Sequence, residues 1–146
     1  MSGGNRAVRF DKTNRDTVYV DLRASVEPNV CADTRMLPFA AGVFGLVLFD
    51  PPHKNNAVNG NMVRSYGHHT HAEIRKVIEG SAIEAHRVSR TDALMALKWN
   101  EHSIKLTTVL ELLRPSWEPL FGHGVSHQQK GTSWVMLLRQ SWPWEL

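Results

Sequence analysis

The chain has 146 residues, with 17 Lys and Arg against 14 Asp and Glu and a net charge of +3. That length predicts one domain with a real buried core, and the small basic excess permits nucleic-acid contact without requiring it. Cys31 is the single cysteine, which excludes an intrachain disulfide or a zinc site built from several thiolates and points to a reducing cytoplasm.

Met1 to Asp16 lacks the apolar core of a signal peptide, and Met36 to Phe49 is too short and interrupted to span a bilayer. A soluble, cytoplasmic protein with no membrane partner is expected. Gly3 and Gly4 open the chain as a glycine turn or a disordered terminus. Asp16 to Arg23 reads as a strand, β-favouring at Val18, Tyr19 and Val20 and closing on Asp21. Asn29 to Asp33 reads as a short strand, and the loop Thr34 to Val43 carries Leu37-Pro38-Phe39 as core packing.

Phe44 to Phe49 is a short continuous apolar run ended by breakers, which predicts a strand buried on both faces. It runs into Asp50-Pro51-Pro52-His53. Each proline fixes a φ angle and lacks an N–H, so their carbonyls and the Asp50 carboxylate form an acceptor-only cluster. Such a cluster suits a ligand that arrives as an N–H donor, and the carboxyl end of a strand is where open α/β sheets bind ligands. The plainer alternative is a proline turn with a solvated acid.

Lys54 to Thr70 is polar and aperiodic, a loop of the length that is usually either functional or disordered. His68, His69 and His71 within and beside it lack the spacing of a metal site, and no metal is expected. His71 to Val88 is the best helix, with Ile74, Val77, Ile78, Ala82 and Ile83 as its apolar stripe. Thr70 and Glu73 form a capping box. Gly80 implies a break or a close approach, and Lys76, Glu79 and Glu84 a solvated face. Asp92 to Lys98 reads as a second buried strand that delivers Lys98-Trp99-Asn100-Glu101 to the same sheet end. There Asn100 can donate and accept while Trp99 forms an apolar wall, or Asn100 or Glu101 caps the next helix, Ser103 to Leu113. Pro115 stops that helix. Trp117 to Gly122 and Ser133 to Arg139 form a final strand pair around a polar loop, Gly124 to Thr132, with His127 and Lys130. Trp142 and Trp144 end the chain as an exposed patch or a docked lid.

Asp50-Pro51-Pro52-His53 resembles the Asp-Pro-Pro-aromatic motif of amino-methyltransferases. Together with Phe10-Asp11-Lys12, Val20-Asp21, Leu37-Pro38-Phe39, Phe49, Lys98-Trp99-Asn100-Glu101 and Leu120-Phe121-Gly122-His123, it is similar, in the same order, to small phage and bacterial class I S-adenosylmethionine (SAM)-dependent methyltransferases. The resemblance implies an α/β fold with a Rossmann-like class I methyltransferase sheet. Only Met1 and Ser2 stand where the family's first strand belongs, so the resemblance implies a sheet truncated at the N-terminus or completed by a partner subunit. It further implies cofactor contacts from Gly3 and Gly4 by backbone N–H, from Asp21 to ribose and from Asp33 to adenine. Asp50, Pro51, Pro52 and His53 are the implied catalytic motif, and Lys98, Trp99 and Asn100 border the substrate.

Three functions follow as expectations. The first is a SAM-dependent N-methyltransferase acting on a nucleobase or another amine. The second is a non-catalytic Rossmann-like module that binds a partner or a second copy. The third is a nucleic-acid binder using Arg6, Arg9, Lys12, Arg15 and the His- and Lys-bearing loops.

Overall fold

The computed structural model describes residues 11, 13–53, 70–123 and 131–142. Two short parallel strands come first, β1 (Val20–Asp21) and β2 (Val30–Cys31), linked through a 3-10 turn at Ala24–Val26. Both are shorter than their β-favouring segments. Asp16 N–H donates to Asn14 Oδ1 and Arg23 N–H donates to Asp21 Oδ1, so local side-chain turns take backbone groups that a longer ladder would use. Gly3 and Gly4 lie outside the described residues.

The larger sheet holds β3 (Phe44–Phe49), β4 (Ser89–Asn100), β5 (Trp117–His123) and β6 (Thr132–Arg139) in the order β3-β4-β6-β5. β3 and β4 are parallel, and β6 is antiparallel to both β4 and β5. Two helices are described, α1 (His71–Val88) between β3 and β4, and α2 (Leu106–Leu113) between β4 and β5. Among the described residues β1 and β2 form a sheet of their own, with no ladder joining them to β3.

The bounds of α1 are those its periodicity predicts. Its capping box is complete: Glu73 N–H donates to Thr70 Oγ1 and Thr70 N–H to Glu73 Oε2. Ile74, Ile78, Ala82 and Ala85 are buried against Val47 and Phe49 of β3, Met95, Leu97 and Trp99 of β4, and Val135 and Leu137 of β6. Ile83 falls off the stripe at 55% exposure, because it lies 100° around the helix from Ala82. Gly80 does not break the helix; the Arg35 side chain lies over it, and an added Cβ would sit 3.0 Å from Arg35 Cγ.

Glu84 is no solvated residue. Its carboxylate accepts from Leu37 N–H at 2.7 Å and from the Arg87 guanidinium, which also donates to the Leu37 and Phe39 carbonyls. This network straps the 34–43 loop onto α1, with Leu37 buried beside Val20 and Val88.

The expectation that β3 is buried on both faces is corrected by the structure. Val47 and Phe49 lie under α1, whereas Leu46, on the opposite face, is 58% exposed. Cross-strand register places Leu46 beside Leu94 and Leu138, and Leu48 beside Ala96 and Met136, so the uncovered face is itself apolar. The run is continuous because both faces are apolar, yet α1 and α2 cover one of them.

α2 starts three residues later than its apolar pattern suggested. Glu101 Oε1 accepts the Leu106 N–H at 2.6 Å, and the Ile104 carbonyl is committed to the Trp99 indole N–H at 3.0 Å. Trp117 is buried and donates to the Ala82 carbonyl. Trp142 is docked, stacked on buried His86 with ring centroids 3.9 Å apart and donating to the Pro115 carbonyl. Trp144, and most of the 124–132 loop with His127 and Lys130, lie outside the described residues. Among the described residues no helix is long and apolar enough to cross a membrane.

Two outcomes test this packing. Leu97→Ala, at a site with no exposure, is expected to lower the unfolding free energy in urea by about 2–5 kcal/mol, and Leu46→Ser to change it by less than about 0.5 kcal/mol. The hydrogen bonds from Arg87 hold the Glu84 carboxyl below its ordinary 4.5. The stability it contributes is therefore complete above that value and is lost as pH falls through the lower folded value. Thermal melts below pH 4.5 are expected to fall less steeply for Glu84→Gln than for the unaltered protein.

Candidate functional site

Parallel register decides what meets at the carboxyl end of the larger sheet. Phe49 pairs with Leu97, so the next residues, Asp50 and Lys98, project side by side on the face opposite the helices. Lys98 Nζ donates to Asp50 Oδ2 at 3.0 Å, with the two side chains 30% and 22% exposed. Pro51 is buried, while Pro52 and His53 are half-buried.

The His53 ring packs edge-on against Trp99, with centroids 6.1 Å apart. Trp99 has no exposure and belongs to the core face of β4, so it supports the site from beneath, through His53. Asn100 Nδ2 lies 3.5 Å from the Gly131 carbonyl, at the limit of a hydrogen bond. Glu101 is taken up as the cap of α2. The structure thus brings Asp50, Pro51, Pro52, His53, Lys98 and Trp99 to one strand end.

Asp21 and Asp33 stand at the other sheet. Asp21, 5% exposed at the end of β1, accepts from Arg23 N–H and Nε on Oδ1 and from Nη2 on Oδ2. Asp33, just past β2, holds Arg35 the same way, with Nη2 to Oδ2 at 2.6 Å. The Arg35 hydrogen bonds hold the Asp33 carboxyl below the usual carboxylate range, against a smaller opposing effect of burial. A carboxylate offers about four acceptor positions, and three of those on Asp21 are taken by Arg23.

Sequence reasoning found the acids and missed their partners. The signal was present: an arginine follows two residues after each of Asp21 and Asp33, a spacing that lets one guanidinium chelate the carboxylate while the backbone N–H caps it. Lys98 stands beside Asp50 at this sheet end, and its ammonium donates to the Asp50 carboxylate. His68 and His69 lie outside the described residues and His71 opens α1. Among the described residues no group of three His, Cys, Asp or Glu could hold a metal ion.

The sequence matches no protein-family model, and no curated protein matches it significantly. Its fold does have solved counterparts. The PH0226 protein from Pyrococcus horikoshii OT3 superposes with a TM-score of 0.63 at 13% identity, over 95% of this chain and 79% of that one. A TehB-like SAM-dependent methyltransferase from Corynebacterium glutamicum gives 0.52 at 13% identity, over 83% of this chain and 66% of its own. The N-methyltransferase NodS from Bradyrhizobium japonicum gives 0.50 at 10% identity, over 84% and 72%. The chain therefore has the Rossmann-like α/β fold of class I SAM-dependent methyltransferases. At such identities the likeness is one of fold.

Removing the buried acid of the first pair leaves Arg23 Nε and its backbone N–H without their acceptor. Asp21→Ala is expected to cost about 1–3 kcal/mol in chemical denaturation.

Proposed function

We propose that the chain is a SAM-dependent N-methyltransferase acting on an amino group, of a nucleobase or of another amine. The observation that carries this reading is Asp50 at the carboxyl end of β3, followed by two prolines that offer carbonyls and no N–H. The donor set fits the cofactor in chemical type. SAM presents hydroxyl, amine and cationic groups, and the strand ends present the carboxylates of Asp21, Asp33 and Asp50. Asp33 would meet the adenine amine. Asp21 would meet the ribose hydroxyls beside its Arg23 partner. Gly3 and Gly4 would complete the cradle.

SAM, when bound, supplies an electrophilic methyl group on a sulfonium. The chain's own contribution is positioning. Asp50 and the Pro51 carbonyl accept the two N–H groups of the acceptor amine, which fixes where its lone pair points. Holding the nitrogen in a near-attack geometry contributes several kcal/mol to the rate. His53, steadied by Trp99, offers a ring on which a planar acceptor stacks, and Asn100 offers a donor and an acceptor at the pocket's border. A single and exposed Cys31 agrees with a reducing cytoplasm.

A second reading, a non-catalytic module that binds a partner or a second copy, is favoured by one observation. The uncovered sheet face carries Leu46 at 58% and Phe121 at 69% exposure. Nucleic acid enters this account as a methyl acceptor.

Calorimetric titration with SAM separates the readings. Saturable heat is expected, with methyl transfer to an acceptor abolished in Asp50→Ala while that variant keeps its circular dichroism. No heat at millimolar SAM, together with a dimer in light scattering, would establish the second reading instead.

A further inference from the structure

The ion pair at the end of β3 and β4 has a consequence for how the proposed site treats charge. In the methyltransferase reading the working group of the motif is a carboxylate that accepts from an incoming N–H. In this structure that carboxylate already has a donor, the Lys98 ammonium at 3.0 Å from Oδ2. Among the described residues its other oxygen, Oδ1, takes no hydrogen bond. The pair is fixed from both sides. Parallel register sets Lys98 beside Asp50, and both side chains are more than two-thirds withdrawn from solvent. In such partly desolvated surroundings a charge interaction falls off less than it does in bulk water.

We infer that Lys98 is the positioning residue of Asp50: its ammonium anchors Oδ2, leaves Oδ1 to the acceptor nitrogen, and neutralises the carboxylate toward any cation entering the site. The inference rests on the methyltransferase reading and deepens it. An acceptor that arrives as a neutral N–H donor needs a hydrogen-bond acceptor and no net charge, which the paired Asp50 supplies. An acceptor that arrives as an alkylammonium meets a second ammonium beside the carboxylate and gains little. Lys98 thereby selects neutral, weakly basic nitrogens over protonated alkylamines, without touching either one's carbon skeleton. The Trp134 side chain, opposite Lys98 in β6 and 40% exposed, lies on the same face and brings no charge of its own.

The test needs no knowledge of the acceptor. S-adenosylhomocysteine carries an uncharged thioether at the reacting centre, and sinefungin carries an amine, protonated at neutral pH, in place of the sulfonium methyl. The ratio of their dissociation constants, from calorimetry on the full chain, reads how the site treats a cation there and cancels general effects on folding or cofactor affinity. Lys98→Met is expected to shift that ratio toward sinefungin by about tenfold, Lys98→Arg to restore the unaltered ratio, and Asp50→Asn to remove the effect of Lys98→Met in the double variant. An unchanged ratio in Lys98→Met, with both ligands still bound, would overturn the role of Lys98 and leave the cofactor reading intact. Failure of the unaltered protein to bind either ligand would overturn that reading, and this inference with it.

Discussion

The register of β3 against β4 is the constraint on which the rest of the site depends. Val47 and Phe49 in one strand and Met95, Leu97 and Trp99 in the other must face α1, because together they form the core. A strand alternates its side chains with a period of two, so that requirement also sends Asp50 and Lys98 to the opposite face. A slip of one residue in either strand would drive a charged group under the helix at a cost no ion pair made there could offset. The hydrophobic effect, acting through α1, therefore places the ion pair.

The same logic recurs at the smaller sheet with different chemistry. Asp21 ends β1 and Asp33 lies just past β2, and each is chelated by an arginine two residues further on. With Asp50 and Lys98, three acids at three strand ends are each met by a cation from their own neighbourhood. Paired acids are oriented and partly neutralised before a ligand arrives. Such preorganisation favours ligands that bring hydrogen-bond donors over ligands that bring only charge.

How much of this was legible varied with how local its cause was. α1 could be read to the residue, since its capping box and apolar stripe are encoded within Thr70 to Val88. The β5–β6 pair was legible for the same reason. β3 was legible as a strand, but which of its faces is covered depends on helices elsewhere, and an apolar run cannot announce that. β1 and β2 were overextended because Val18 to Val20 look like strand while Asp21 and Asn14 draw backbone groups into turns. The site was half legible. Its acids stood out, but the Lys98 contact joins residues 48 apart in sequence and needed the register of β3 on β4 to appear.

We propose that the strand ends around Asp21, Asp33 and Asp50 border one cofactor site. Backbone amide chemical shifts, followed as S-adenosylhomocysteine is added to labelled protein, test it most directly. Saturable shifts are expected at residues 21–23, 33–35 and 53 with one common dissociation constant. Shifts confined to the apolar face around Leu46 and Phe121, or none at all, would contradict it.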